Sequence, residues 1–559
     1  MQKKSVLFLS AAALIALSSC SSKLGALSAD NFSVTPNPLE TEAGKVPATI
    51  NGKFPEKYMK KKAVVSVTPE LRYADGKTAQ STPATFQGEK VTGNDQTIQY
   101  KVGGNYTMNA SFGYVPEMQK SELWLNFDAY VGKKKVDVPS VKIANGVIST
   151  SELYKKTLLS DGACLAPDSF QRVKAQKQEA EIKFLINQAN LRKSEMKNNS
   201  VKEFVSMLKK INSDKQSLNI RNVEVSAYAS PEGGVAFNDK LASKRQDNSE
   251  KYVKNTLKQT KVNTDVAASY TAQDWDGFQK LVSASNLQDK DVILRVLSMY
   301  QDPQEREQQI RNMSAGFREL ADGILPELRR SRLIINYETI GRSDDEIKDQ
   351  LKSDASKLSA DELLYAASLE NDNSAKEDIY KKAAELYPED SRAFNNIAAL
   401  EFAKGNNDAA KAYLQKALAA NANTAEASAN QGLLSLIEGN SADAQRLIAK
   451  ANGANDYAKA LGAYNIAAGK YADAEKAMSG ENTNTAALAQ ILNKNYAGAA
   501  ATLSGVKNKT GITDYLLAIV NARQGNNDAA SSFLKSALQK DPSLASYAAN
   551  DLELLNVAK

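Results

Sequence analysis

The 559-residue chain contains no histidine and only two cysteines. Without histidine there is no Ser-His-Asp or Cys-His nucleophile and no histidine-bound zinc. Carboxylate chemistry stays open, but no catalytic pair stands out, so the chain reads as non-catalytic, with no metal and no cofactor. Long apolar runs are missing too: past the first twenty residues nothing approaches the ~20 apolar residues of a membrane helix. Neither charge dominates. Lys and Arg number 71 against 65 Asp and Glu, a formal charge of +6, which gives no case for nucleic acid. What the chain does have is 42% hydrophobic residues. That is enough for real cores, in a length that suggests about three or four domains.

Lys3 and Lys4 precede an apolar run over 6–17, which ends Leu17-Ser18-Ser19-Cys20. A basic start, a short apolar segment and small residues describe a secretory signal. The last four residues resemble the lipobox of bacterial lipoproteins. Small residues let a peptidase seat extended backbone, and the cysteine thiolate takes diacylglycerol. The resemblance implies a signal peptide over 1–19, acyl chains such as palmitate on Cys20, and anchoring in outer-membrane lipid. Each buried methylene contributes about 0.8 kcal/mol, so several chains hold almost permanently. Residues 20–30 read as a linker. Ser21, Ser22 and Lys23 lack the acidic tract that resembles a surface-export signal, so the expected face is periplasmic. With Cys20 acylated, Cys164 has no partner for a disulfide.

Residues 31–150 read as a β-sandwich. Segments rich in β-branched and aromatic residues, at 46–50, 63–67, 97–102, 106–114 and 123–131, are separated by turn signals such as Asp75-Gly76 and Gly103-Gly104-Asn105. Pro47 cannot donate to a ladder, which confines the first segment to a sheet edge. Leu123, Leu125 and Phe127 alternate with Trp124, Asn126 and Asp128, the pattern of a half-buried strand. Lys133-Lys134-Lys135 reads as a solvated hairpin tip.

Residues 151–179 read as a connector. Over 180–340 strands at 182–186, 218–228, 264–270 and 333–337 alternate with helices at 201–211 and 236–257. This predicts helices packed on a sheet, interrupted by a charged helical insertion spanning 275–328. Asp274-Trp275-Asp276-Gly277 lacks the remaining ligands of a calcium loop and reads as a loop with Trp275 and Phe278 packed inward.

Residues 357–559 are Ala-rich, helical in period and free of strand signals. Gly405-Asn406-Asn407-Asp408-Ala409-Ala410 recurs as Gly525-Asn526-Asn527-Asp528-Ala529-Ala530, and Gly439 and Ala444 lie 34 residues after Gly405 and Ala410. Gly469 and Ala474 echo the pair after a shorter gap. A 34-residue period with small residues at fixed offsets marks tetratricopeptide repeats. From Ser391 as first position, Phe394, Ile397, Ala398, Ala410, Leu414 and Ala417 fall on the bulky and small positions of that family. The section resembles a tetratricopeptide (TPR) array of five or six units, which implies a protein partner in its concave face.

The section 180–340 resembles the OmpA-like domain in Ala229-Ser230-Pro231-Glu232-Gly233, Asn238, Leu241, Arg245 and Arg329-Arg330. That family commonly grips peptidoglycan: an Asp and an Arg hold the amine and carboxylate of a stem-peptide diaminopimelate. Arg245 matches the Arg. Ser230 falls on the Asp position, where a hydroxyl cannot neutralise an ammonium, and Glu232 could substitute if the loop turns it inward. The peptidoglycan-binding candidates are therefore Arg245, Ser230, Glu232 and Asn238. Gln246 and Arg332 also depart from the family's usual Ala and Glu.

The fold class expected is multidomain α+β: an N-terminal β-sandwich, an OmpA-like α/β sandwich and a C-terminal α-helical TPR solenoid. The whole resembles the modular OmpA/TPR lipoproteins of bacteroidete envelopes. The resemblance implies a non-catalytic outer-membrane scaffold that touches peptidoglycan and recruits a protein through its repeats. The alternative, favoured by Ser230, is an accessory subunit of a secretion, uptake or surface-assembly complex without peptidoglycan binding.

Overall fold

The computed structural model describes residues 24–312, 318–555 and 557. The expected signal peptide and Cys20 lie outside the described residues. The chain forms two compact units: one joins the residues up to Asp168 to those from Ser359 on, and the other is Ser169–Leu358. The sandwich and the repeats, expected as separate domains, thus share a unit, and the expected connector is divided between the two.

In the first unit, a three-stranded sheet of Phe32–Thr35, Lys45–Phe54 and Gly104–Gly113 lies beside a larger one. The larger sheet runs Lys134–Val136, Glu122–Val131, Ala63–Tyr73, Ala84–Gly88, Gln96–Ile98, with Val141–Asn145 and Lys77–Gln80 paired at its sides. Alternate residues such as Ile50, Val65, Met108, Leu123 and Leu125 build one shared core. Two expectations need correction. The strand carrying Pro47 is central, not an edge. Its first neighbour ends at Thr35↔Thr49, so at Pro47 only the Ser111 side is paired and no ladder bond is lost. The strand expected over 97–102 is only Gln96–Ile98. The chain turns at Gly103 (φ 73°), where a Cβ would meet the Phe54 carbonyl at 2.3 Å.

Among the described residues the array holds six helical hairpins: Ala360–Ser368 with Asn373–Leu386, Ser391–Ala403 with Asn407–Ala420, Ala425–Ile437 with Ser441–Lys450, Tyr457–Ala467 with Tyr471–Ala477, Asn484–Leu492 with Tyr496–Gly505, and Gly511–Arg523 with Asn527–Lys540. Gly405, Gly439, Gly469 and Gly525 turn the chain at φ between 74° and 81°, a conformation glycine reaches without steric cost. The two helices of a hairpin differ in kind. Ten of the thirteen residues of Ser391–Ala403 are buried, against Ala410, Leu414 and Ala417 in its partner. A helix buried nearly all round needs cover on two sides, and the second helices supply only one.

The sandwich meets the end of the array through side chains that the sequence gives no reason to pair. Ser149 Oγ lies 2.9 Å from the Tyr547 hydroxyl, Thr150 bonds Glu553, and Arg523 grips Glu553 at 2.6 and 2.7 Å. Asp551, 1% exposed, accepts hydrogen bonds from Tyr515 Oη at 2.8 Å and from the Glu553 N–H at 3.0 Å. Burial, helped by the Glu553 charge, pushes its carboxyl up to about 6, against the pull of Tyr515, the Glu553 amide and Arg523.

The second unit is two-layered. Its sheet runs Val173–Lys183, Arg330–Ile340, Leu218–Tyr228, Val266–Thr271, antiparallel except for the last pair. Helices Asn199–Ser213 and Val235–Thr260 lay Val201, Phe204, Leu208, Val253 and Leu257 on Ile182, Val223, Val225, Leu333 and Ile335. The first strand starts and ends earlier than the expected 182–186. Its leading half is exposed and polar (Lys174, Gln176, Lys177), and it forms by pairing along Arg330–Ile340. The insertion has a small core of its own around Phe278, Val282, Ile293, Leu297, Ile324 and Leu328. Asp274 opens a helix there rather than a loop: Oδ1 accepts from the Gly277 N–H at 2.8 Å and Oδ2 from Arg330 at 2.9 Å.

Asp551 sets a pH dependence with a defined sign. An unfolded aspartate titrates near 3.9, so between about 4 and about 6 the folded chain binds more protons than the unfolded one. The contribution of this group is then full below about pH 4 and is lost as pH rises through about 6. Asp551→Asn removes that slope. Relative to the parent, the variant gains on the order of 2 kcal/mol in unfolding free energy between about pH 4 and about pH 7, measured by urea titration at both values.

Candidate functional site

The strand Leu218–Tyr228 runs into the Ala229-Ser230-Pro231-Glu232-Gly233 loop, and the helix Val235–Thr260 leads out of it. Asn238, 2% exposed, folds back to close the loop: its Nδ2 donates to the carbonyls of Ser230 (3.0 Å), Glu232 (3.3 Å) and Gly233 (3.2 Å). Gly233, at φ 104°, supplies the turn. Ser230 Oγ donates to Glu232 Oε1 at 2.9 Å, and Arg329 grips the same oxygen at 2.6 and 2.8 Å. Glu232 is therefore turned inward, towards a cation of the chain itself.

Arg245 lies two turns along the helix and is 1% exposed. Its Nε donates to the Gln188 carbonyl at 3.0 Å, and its two terminal nitrogens to Tyr228 (2.8 Å) and Leu185 (3.3 Å). The guanidinium stacks over Phe184, 4.9 Å from the ring centre. Burial, with Arg329 nearby, lowers it to about 10 against the pull of Glu232. Arg245 thus joins the loop ends of two strands through main-chain carbonyls.

The four candidates stand together, and the insertion closes over the loop at Pro231, Glu232 and Gly233. Glu307 Oε1 accepts from the Gly233 N–H at 2.7 Å, Gln273 donates to the Gly233 carbonyl at 3.0 Å, and Trp275, Phe278, Leu320 and Leu325 line the space beside Pro231 and Glu232. Sequence reasoning had Arg329 only as a motif residue and missed Glu307 and Gln273. Their partners are chosen by tertiary packing and leave no local signal.

The second candidate surface is the inner face of the array, and it is occupied. The turn Thr150–Leu153 and helix Tyr154–Asp161, expected as connector, lie along the first helices of the repeats. Leu153, Tyr154, Leu158, Ala163 and Cys164 join the core of the array. Tyr154 Oη donates to the Leu436 carbonyl at 3.0 Å, and Thr157 meets Thr485 at 2.9 Å. The Asp161 carboxylate accepts from the Asn484 and Thr485 N–H groups at 3.0 and 2.7 Å, where a helix N-terminus favours negative charge. Beyond Gly162 the chain is extended and bonded by asparagines. Asn430 accepts from Cys164 N–H (2.7 Å) and donates to its carbonyl (2.8 Å), and Asn396 does the same for Ala166 (2.7 and 3.1 Å). Arg392 donates to the Asp168 carbonyl at 2.7 Å, and to Asp361 and Asp390. Cys164 is a free thiol, pushed up to about 12 by burial with Asp456 beside it.

The signal for this groove is present in the sequence. Asn395, Asn430 and Asn465 recur every 35 residues on successive first helices. Among the described residues no acidic or cysteine cluster could hold a metal, and no helix is long and apolar enough to cross a membrane.

No protein-family model matches the chain. No curated protein matches it either. Solved structures similar to it include a tetratricopeptide repeat protein from Parabacteroides merdae, 15% identical over 38% of this chain and 91% of that one, with a TM-score of 0.29. Pseudomonas aeruginosa pilF is 16% identical over 37% and 97%, TM-score 0.26, and yeast Tom70 is 13% identical over 57% and 74%, TM-score 0.24. In its hairpins, turn glycines and buried alanines the array resembles a tetratricopeptide solenoid. Stacked helical repeats create an extended concave surface. No enzyme family is indicated.

Arg245→Ala removes charged hydrogen bonds to three carbonyls inside the second unit; the Leu185 carbonyl keeps the Gln188 N–H at 3.1 Å, while those of Gln188 and Tyr228 lose this donor. Hydrogen bonds to a charged group contribute roughly 1.5–3 kcal/mol each, so the variant is expected to lose about 3 kcal/mol or more, with Arg245→Lys recovering part. Thermal unfolding of the full chain reads the effect, and an unchanged transition in the alanine variant would contradict this arrangement.

Proposed function

We propose that the protein is a non-catalytic envelope scaffold, held in the outer membrane by lipid on Cys20 and facing the periplasm. In this reading it serves as an accessory subunit of a secretion, uptake or surface-assembly complex and does not grip peptidoglycan. The lipobox-like Leu17-Ser18-Ser19-Cys20 supports the anchor. The Ala-Ser-Pro-Glu-Gly loop with Asn238 and Arg245, set on a sheet with two helices, supports an OmpA-like fold for the second unit.

One observation carries the rest: Arg245 is buried and bonded to three carbonyls, and Glu232 is paired with Arg329. A stem peptide brings an amine and a carboxylate, and it needs an open acceptor and an open forked donor. Here both groups are bound within the chain, and Ser230, at the family's Asp position, donates to Glu232 instead of offering a charge. A buried guanidinium exchanges its carbonyls for a ligand only by opening the loop.

Cosedimentation of the full chain carrying Cys20→Ser with purified peptidoglycan tests this, beside the same chain with Glu232→Gln. Both should remain in solution. A parent that pellets and a Glu232→Gln variant that does not would restore the wall-binding reading. The anchor has its own test: metabolic labelling with a fatty acid should mark the wild-type chain and leave Cys20→Ser unmarked and released from membranes.

A further inference from the structure

We propose that the inner face of the helical array is a peptide-binding groove whose ligand is the chain's own segment 162–168, so that the groove is closed to partner peptides. The ligand class is an extended main chain with small side chains. The proposal deepens the partner role of the repeats, and it depends on neither the lipid anchor nor the absence of wall binding.

The recognition is chemical rather than incidental. A carboxamide holds one acceptor and a two-hydrogen donor in a plane, so it can pair with both the N–H and the C=O of a single residue. Asn430 does this at Cys164, and Asn396 does it two residues on at Ala166. Asn395 adds a donor to the Cys164 carbonyl at 3.0 Å and accepts from Asn430 at 2.9 Å, so the amides hold each other in register. Alternate residues bonded on both sides are what a neighbouring β-strand would provide. Here side chains on helices provide it.

The asparagines are placed for this task. Asn395, Asn396 and Asn430 are 0–2% exposed, on helices whose other buried residues are mostly Ala, Ile, Leu and Phe. Buried amides without partners are disfavoured, so an inner face meant to pack only against apolar groups would not carry them. The segment is matched to the groove in turn. Ala163, Cys164 and Ala166 are buried, and none is larger than a thiol, while Leu165 faces outward at 37% exposure. Upstream, Asp161 caps the helix Asn484–Leu492; downstream, Arg392 holds the Asp168 carbonyl. The segment is thus fixed at both ends and along its middle.

Cys164 reports on the groove. In the full chain with Cys20→Ser it is the sole thiol, and a thiol reagent should modify it at least ~100-fold more slowly than in the urea-unfolded chain, because access requires local opening. Modification at the unfolded rate under native conditions would overturn the proposal.

A fluorescent peptide with the sequence of residues 150–168 gives the second arm. The parent should not bind it at roughly 100 μM. Cys164→Arg leaves the asparagines intact but puts a side chain too large for the seat on the resident segment. That variant should bind the peptide, and unlabelled peptide should displace it. Equal binding to parent and variant would overturn the proposal, as would a folded variant whose 162–168 segment is cut by protease yet which binds nothing. If Cys164→Arg does not fold, the thiol rate of the parent decides, together with slow amide exchange at Cys164 and Ala166.

Discussion

A buried stretch of main chain must find partners for every N–H and C=O, and the first unit is arranged around one such stretch. Residues 162–168 cross the inside of the array with no strand beside them. Asparagine amides from the first helices take the place of that strand. The pairing works in both directions. It lets the segment be buried, and the buried segment covers the second side of helices that their hairpin partners cover on one side only. The sandwich, the segment and the repeats are therefore one body, and residues 169–358 are a separate one.

The second unit answers the same requirement with the opposite partner. There the buried group is a single guanidinium, and it reaches three carbonyls at or beyond the ends of two strands. Arg245, Asn238 and Gln273 all donate to main-chain oxygen around one loop, and Glu307 accepts from its N–H. The polar groups that the motif set out as ligand candidates are here turned to the protein. The charged insertion adds Glu307 on the Gly233 N–H and apolar side chains beside Pro231.

Local periodicity was the readable part of the sequence. The strand Leu218–Tyr228 stands where alternation places it, and helix Asn199–Ser213 covers the apolar spacing of 201–211. The turn glycines of the repeats were visible from their recurrence. Segments that form through distant partners were not. Val173–Lys183 is polar over its leading half and becomes a strand by pairing with residues more than 140 positions away. Residues 151–168 looked like a connector because they are short, carry no repeat, and contact helices 230 to 330 residues further on. Ser230, Glu232, Asn238 and Arg245 were singled out by motif alone, and motif is silent about what each one bonds. Tertiary packing decided that: Arg245 through Gln188, Leu185 and Phe184, and Glu232 through Arg329.

The chain order has a consequence for how such a molecule is made. The groove segment is synthesised before the second unit and long before the helices that receive it, so Ala166 and Asn396 must close a loop of 230 residues. Closure of long loops costs entropy and slows folding. The second unit shortens the path. Val173 pairs with Ile340, the Gly341 N–H donates to the Arg172 carbonyl at 2.6 Å, and Arg172 pairs with Asp344. Once that unit has folded, its two ends are neighbours and the loop left to close is roughly 60 residues, which lowers the cost by about 1 kcal/mol. The inserted unit is thus an internal clasp: it holds side by side the points where the chain enters and leaves it, Arg172 and Asp344.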